Sequence, residues 1–349
     1  MTDTQSAKSV QALFQPFTAG NLSLANRVVM APMTRQFSPE GVPGDNVAAY
    51  YRRRAENGVG LIVTEGTVIN HADASNQANV PHIYGEAALK GWANVVAEVH
   101  AAGGKIIPQI WHMGARGQVN DYTEEEIAEL VRQFAHSAAA AKQAGFDGIE
   151  LHGAHQYLID QFFWDQTNAR TDRYGGDLVG RTRFAVEVIE ACREAVGPDF
   201  PIVFRFSQWK GSDYSAKLAH TPEELERFLK PLADAGVDVF HCSTRRFWEP
   251  EFEGSELNLA GWTKKLSGKP TITVGSVGLD REFTALFSDG KGAGVSNIDG
   301  LLERLGQNEF DLVAIGRALL ADPAWARKVQ NGLHDELIPF SPEALQTLE

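Results

Sequence analysis

The feature that most constrains this chain is a recurring junction. A helical pattern ends at glycine and an apolar strand follows at once. Gly58 precedes Leu61–Thr64, Gly104 precedes Ile106–Ile110, Gly145 precedes Ile149–Leu151, and Gly236 precedes Val237–Cys242. A left-handed helix C-cap favours glycine, and a strand buried on both faces reads as a continuous apolar run. Arg27–Pro32, Pro201–Ser207, Pro270–Gly275 and Asp311–Gly316 read as four further strands, so the series centres near 28, 62, 107, 150, 203, 239, 272 and 313. Helical patterns lie between them. Thr123-Glu124-Glu125-Glu126 opens one as a capping box, and Thr221-Pro222 opens another with a cap residue and then proline. Eight alternations predict an α/β fold of one kind, a closed (β/α)8 TIM barrel, over an open doubly wound sheet.

No Pro/Ser-rich linker divides the chain, and Gly290–Gly300 reads as a loop between the last two strands. The expected organisation is therefore a single domain: a barrel over 13–349 behind a disordered N-terminal tail, 1–12. A length of 349 residues suits one such barrel. Lys and Arg number 32 against 45 Asp and Glu, a net charge of −13 that disfavours nucleic acid and anionic membranes as partners. Cys192 and Cys242 are too few for a disulfide framework. With no long apolar run and no signal-like start, the expectation is a cytoplasmic protein acting on a small molecule.

In such barrels the active site lies at the C-terminal strand ends. Polar residues gather there: Thr34 and Arg35; Glu65; Gln109 and His112; His152, His155 and Tyr157; Arg205; His241 to Arg246; Ser276; Arg317. Gly275, Ser276, Gly316 and Arg317 read as a phosphate site, where glycines admit the backbone and arginine offers a fork. No GxGxxG or Walker loop stands in the right context. The histidine pair has two readings. His152 and His155 can ligate a metal together with His112 or Glu65, as in a metal-dependent barrel hydrolase or aldolase. Alternatively they donate two hydrogen bonds to an anionic oxygen, with Tyr157 as proton donor and no metal.

Several longer blocks carry a resemblance: LFQPFTAGNLSLANRVVMAPMTR, PQIWHMG, FDGIELHGAHQYLIDQFFWDQTNARTDRYGG, VGSVG and AIGRALLADPAW. Over about 13–345 the chain resembles the old yellow enzyme family of flavin-dependent ene-reductases. The resemblance implies non-covalent FMN, reduced by NADPH or NADH, and reduction of a C=C bond conjugated to a carbonyl. It places Pro32, Met33, Thr34 and Gly66 along the flavin ring, Gln109 at its pyrimidine edge and Arg205 near N1. Gly275, Ser276, Gly316 and Arg317 fall at the phosphate. His152 and His155 grip the substrate carbonyl, while flavin N5 delivers hydride to Cβ and Tyr157 a proton to Cα.

One departure from the family is large. Its members usually carry several tens of residues, including a lid, where this chain has only Ala115–Asp121 between Gly114 and Tyr122. The expectation is an intact barrel with an unusually open site. A flavin-binding protein whose turnover is impaired by the missing lid is the non-enzymatic alternative.

Overall fold

The computed structural model describes residues 10–114 and 119–349. Its centre is a closed barrel of eight parallel strands: β3 (Val28–Met30), β4 (Leu61–Val68), β5 (Lys105–Trp111), β6 (Ile149–Gly153), β7 (Ile202–Ser207), β8 (Val239–Ser243), β9 (Thr271–Val274) and β10 (Leu312–Ile315). They pair in chain order and β10 closes on β3. Each was expected from the sequence. Of the expected tail, 1–9 lies outside the described residues, while Val10 is buried and Gln11–Phe14 forms a single 3-10 turn.

Successive side chains on a strand point to opposite faces, so every barrel strand feeds two cores. Val203, Val239, Ile272 and Leu312 point into the barrel, and Ile202, Phe204, Phe240 and Val313 pack outward under the helices. Each such side chain, fully buried, contributes about 1.5–3 kcal/mol, which is why these strands read as unbroken apolar runs.

Two short strands precede the barrel, β1 (Phe17–Ala19) and β2 (Leu22–Leu24), joined as an antiparallel hairpin through Gly20-Asn21. Phe17, Leu22 and Leu24 belong to the same cluster as the inward side chains and cap the N-terminal end of the barrel. This hairpin was not expected, although alternation around a Gly-Asn turn is its signature.

Helix caps follow the sequence. Thr123 starts the helix Glu124–Gln143 with both capping-box bonds, Glu126 N to Thr123 Oγ1 at 3.1 Å and Thr123 N to Glu126 Oε2 at 2.8 Å. Thr221 Oγ1 accepts from Glu224 N at 3.2 Å. Left-handed glycines sit at Gly58, Gly145 and Gly236 as expected. Before β5 the left-handed residue is Gly103 and not Gly104. Gly104 serves packing, since a Cβ there would lie 2.7 Å from the Ala55 methyl.

Candidate active site

A cavity of about 410 Å³ opens at the C-terminal ends of the strands, within the usual range for small-ligand sites. Pro32, Met33, Thr34, Gly66, Gln109, His152, His155, Tyr157, Arg205, Gly275, Ser276, Gly316 and Arg317 all line it. These thirteen residues thus meet in one place, although they span most of the chain.

Local chemistry explains several of these positions. Gly66 follows a register shift in β4, and a Cβ there would sit 2.3 Å from the Trp111 ring. Gly275 has φ +135°, and a Cβ there would lie 2.7 Å from the Thr244 carbonyl oxygen. Both must be glycine for the neighbouring loops to approach. Arg317 begins the helix Arg317–Ala321, and its guanidinium donates to the Arg281 carbonyl.

Arg205, on β7, forms the cationic floor. It is 7% exposed, its Nη2 donates to Ser243 Oγ at 3.5 Å, and its Nε is buried with no partner within the protein. An unpaired buried guanidinium N–H costs free energy unless a ligand accepts from it. Beside it, Gln109 Nε2 donates to Glu150 Oε1 at 2.8 Å.

The adjoining wall carries the histidines. His152 is the last residue but one of β6, and after Gly153 the chain turns through two left-handed non-glycine residues, His155 (φ +62°) and Gln156 (φ +68°). Such residues persist only where surrounding bonds enforce them. Here His155 N donates to Ser207 Oγ at 3.0 Å, and Gln156 N donates to Asp160 Oδ2 at 2.7 Å. Asp160 Oδ1 in turn holds Lys210 Nζ at 2.6 Å, both side chains fully buried. The turn folds the His155 imidazole back over the cavity beside His152, with ring centres 5.2 Å apart.

Hydrogen bonds assign the tautomers. Ala154 N donates to His152 Nδ1 at 3.3 Å, so the His152 proton sits on Nε2. Ser243 Oγ lies 2.7 Å from His155 Nε2 and accepts from Arg205; a Ser243 hydroxyl that donates to Nε2 leaves the His155 proton on Nδ1. Burial, reinforced by the Arg205 charge, holds both pKa values well below the usual histidine range. Each ring is neutral and offers one N–H. Tyr157 packs edge-on to His152 and Trp111, at 4.8 and 4.9 Å between centres. Burial raises its pKa, against the pull of Arg205, so it stays protonated at neutral pH.

Other residues weighed from sequence fall as follows. His112 turns away from the pair to His71, Nε2 to Nδ1 3.2 Å, and Glu65 accepts from the backbone N–H groups of Arg35 and Gln36. Neither joins His152 and His155, and among the described residues no three His, Cys, Asp or Glu side chains gather as a metal site. Trp111, beside Gln109 at the end of β5, lines the cavity. Arg245 lines it too, whereas Arg246 pairs with Glu249 outside. Sequence reasoning missed Trp209 and Phe283 in the lining, whereas Ser243, one of the polar residues read at the end of β8, lines it as expected. Of the short connection, residues 115–118 lie outside the described residues, and Val119–Asp121 is a 3-10 turn.

The NADH:flavin oxidoreductase / NADH oxidase family model matches residues 12–124 and 117–336, two segments that meet at the short connection. The chain belongs to this family. It is 34% identical over 93% of its length to an NADH oxidase of Thermoanaerobacter brockii, of which it covers 52%. It thus spans about half the length of the first curated relatives it matches. An NADPH dehydrogenase of Bacillus velezensis is 32% identical over 93% of the chain and is itself covered over 96%. Morphinone reductase in complex with tetrahydroNAD superposes with a TM-score of 0.78 at 27% identity, covering 95% of this chain and 93% of that one.

Flavin oxidoreductase chemistry fits the residues present. The orphaned Arg205 Nε seeks an acceptor at the cavity floor. Gly316 leaves room for a flat ring, with only Met33 Sδ at 3.5 Å and the Ala31 methyl at 3.9 Å near a Cβ placed on it. Among the described residues no helix is long and apolar enough to cross a membrane.

Proposed function

We propose that this chain binds FMN non-covalently and works as an NAD(P)H-dependent ene-reductase of the old yellow enzyme type, acting on small α,β-unsaturated carbonyl compounds in the cytoplasm. The observation that carries this reading is the pairing of two neutral histidine N–H donors with a protonated Tyr157 on one wall, facing a buried arginine floor. FMN, bound there, would supply hydride-transfer chemistry between the nicotinamide and the alkene. Pro32, Met33, Thr34 and Gly66 would flank its ring, Gln109 and Arg205 its pyrimidine edge, and Gly275, Ser276, Gly316 and Arg317 its phosphate.

The protein's own work is polarisation and proton delivery. His152 Nε2–H and His155 Nδ1–H hold the carbonyl oxygen and stabilise the negative charge that gathers there as Cβ accepts hydride. Tyr157 then gives its proton to Cα and is reprotonated from solvent. Over a full cycle NAD(P)H supplies the hydride and solvent the proton. The names of the relatives, NADPH dehydrogenase among them, support this reading.

The test is the visible spectrum of the purified protein. Expected are a flavin spectrum, bleaching on anaerobic NADPH or NADH addition, and recovery of the yellow form with 2-cyclohexen-1-one as the saturated ketone appears. A flavin that bleaches but is not reoxidised by any enone would overturn the ene-reductase reading. Failure to bind FMN would overturn both parts.

A further inference from the structure

The barrel interior holds one carboxylate that the proposed reaction does not use. Glu150 lies on β6, two residues before His152 and on the same inward face, and is fully buried. Its inward neighbours Val203, Val239 and Ile272 are apolar. Its Oε1 accepts from Gln109 Nε2 at 2.8 Å, and its Oε2 lies 2.7 Å from His241 Nδ1. A buried charge is costly unless paired, and an apolar residue would fill this level of the barrel as its neighbours do.

The nearest compensation comes from two sides. His241 donates through Nδ1, but burial and the Arg205 charge hold its pKa below the usual range despite Glu150, so it is neutral. Its Nε2 is buried with no partner. The cation that answers Glu150 is therefore Arg205, buried in the neighbouring strand, where Arg205 pairs in register with His152 and His241. A carboxylate only accepts hydrogen bonds, so Glu150 also dictates how Gln109 stands. Its Nε2 must face Glu150, which turns Oε1, an acceptor, toward the cavity.

We propose that Glu150 is a positioning residue that sets both the fit and the reduction potential of the flavin, an inference that rests on the FMN reading above. By fixing Gln109 it presents an acceptor to the N3–H of the ring's imide edge. By placing a negative charge under the pyrimidine end it offsets part of the Arg205 charge and disfavours the reduced, anionic ring. The buried pair thus keeps the potential below what Arg205 alone would set.

The experiment compares Glu150→Gln and Glu150→Asp with the parent holoenzyme, measuring midpoint potential by anaerobic dye-linked reduction and affinity for FMN and 3-methyl-FMN. Removing the charge in Glu150→Gln should favour reduced over oxidised FMN by about tenfold, a rise of about 30 mV for a two-electron couple. Gln109 is then free to turn, so the parent's preference for FMN over 3-methyl-FMN should shrink. Glu150→Asp keeps the charge and withdraws the acceptor, so the potential should stay near the parent's while that preference falls. If Glu150→Gln does not fold, Glu150→Asp carries the test alone. An unchanged or lowered potential in Glu150→Gln, or a raised one in Glu150→Asp, would overturn the proposal. A parent that binds no FMN would instead overturn the reading beneath it, before any variant is made.

Discussion

The imidazole of His155 lies flat on the indole of Trp209, 4.3 Å between ring centres and 19° between planes. Trp209 Nε1 donates to the Ser243 carbonyl at 3.1 Å, while the Ser243 hydroxyl bonds His155 from the side. The proposed carbonyl-binding donor is thus clamped by a ring and a hydroxyl that meet at one residue.

Trp209→Ala should loosen that clamp. A phenol, whose oxygen would take the place of the carbonyl oxygen between the two histidines and whose ring would stack on the flavin to give a charge-transfer band, probes that donor. A stacked pair is worth about 0.5–1.5 kcal/mol, so phenol affinity should fall roughly two- to tenfold. FMN affinity should not move. Titration of the phenol charge-transfer band reads the first and flavin fluorescence the second. An unchanged phenol affinity would assign Trp209 to packing alone.

His152→Ala and His155→Ala should each weaken phenol binding about ten- to a hundredfold, the loss of one donor to a charged acceptor. Because both rings are already neutral, the steady-state rate should show no histidine inflection between about pH 6 and 8. A single ionisation near pH 6.5 that vanishes in either variant would contradict the neutral state assigned to both rings above.

Stability should carry two opposite pH signatures. Burial against His71 pushes His112 down to about 3, and His152 and His155 are also held low. The unfolded chain takes up these protons near pH 6.5 and the native state does not, so stability falls as pH drops below that value. Glu65 runs the other way: burial raises it to about 7, so its contribution is complete below pH 4.5 and lost as pH rises through 7. Glu65→Gln should therefore gain on the parent as pH climbs from about 4.5 to 8, and His112→Gln should flatten the acid limb. Urea unfolding across pH measures both, and curves parallel to the parent's would refute the assignments.

Lys210→Met should cost about 3–5 kcal/mol, because it strands Asp160 as an unpaired buried charge. Lys210→Met with Asp160→Asn should recover at least half of that in the same unfolding assay. The double variant should also keep phenol binding close to the parent's, since the introduced amide can still accept from the Gln156 N–H that holds the His155 turn.

These cases show what the sequence carried and what it hid. The strands were legible because each is buried on both faces, and the site because barrels collect chemistry at strand ends. The Glu150–His241 contact joins strands that are not neighbours and far apart in the chain, so no spacing announces it. The signal was present only as a charged residue inside an apolar strand, Ile149-Glu150-Leu151. Trp209 lies beyond the end of β7, and its contact with His155 depends on a left-handed turn that non-glycine residues rarely adopt.

The short connection offers a separate test. Grafting a connection of several tens of residues between Gly114 and Tyr122 should narrow the range of bulky enones accepted and sharpen stereoselectivity. The thermal midpoint and FMN affinity should hold, since the barrel layers and the phosphate-end loops lie elsewhere. Unaltered selectivity in a folded graft would mean that the present walls, Trp209 and Phe283 among them, already do the lid's work.

The hairpin that stoppers the barrel has a practical corollary for anyone building on this scaffold. The segment leading into it approaches the blind end, whereas Leu345 borders the mouth and Arg35 pins the carbonyls of Ala344, Leu345 and Thr347 beside it. Cargo inserted at the Gly20-Asn21 turn would ride behind the enzyme, out of the path of incoming molecules, whereas cargo carried near Leu345 would stand in the doorway, as an obstruction or, if it regenerates nicotinamide, as a feeder.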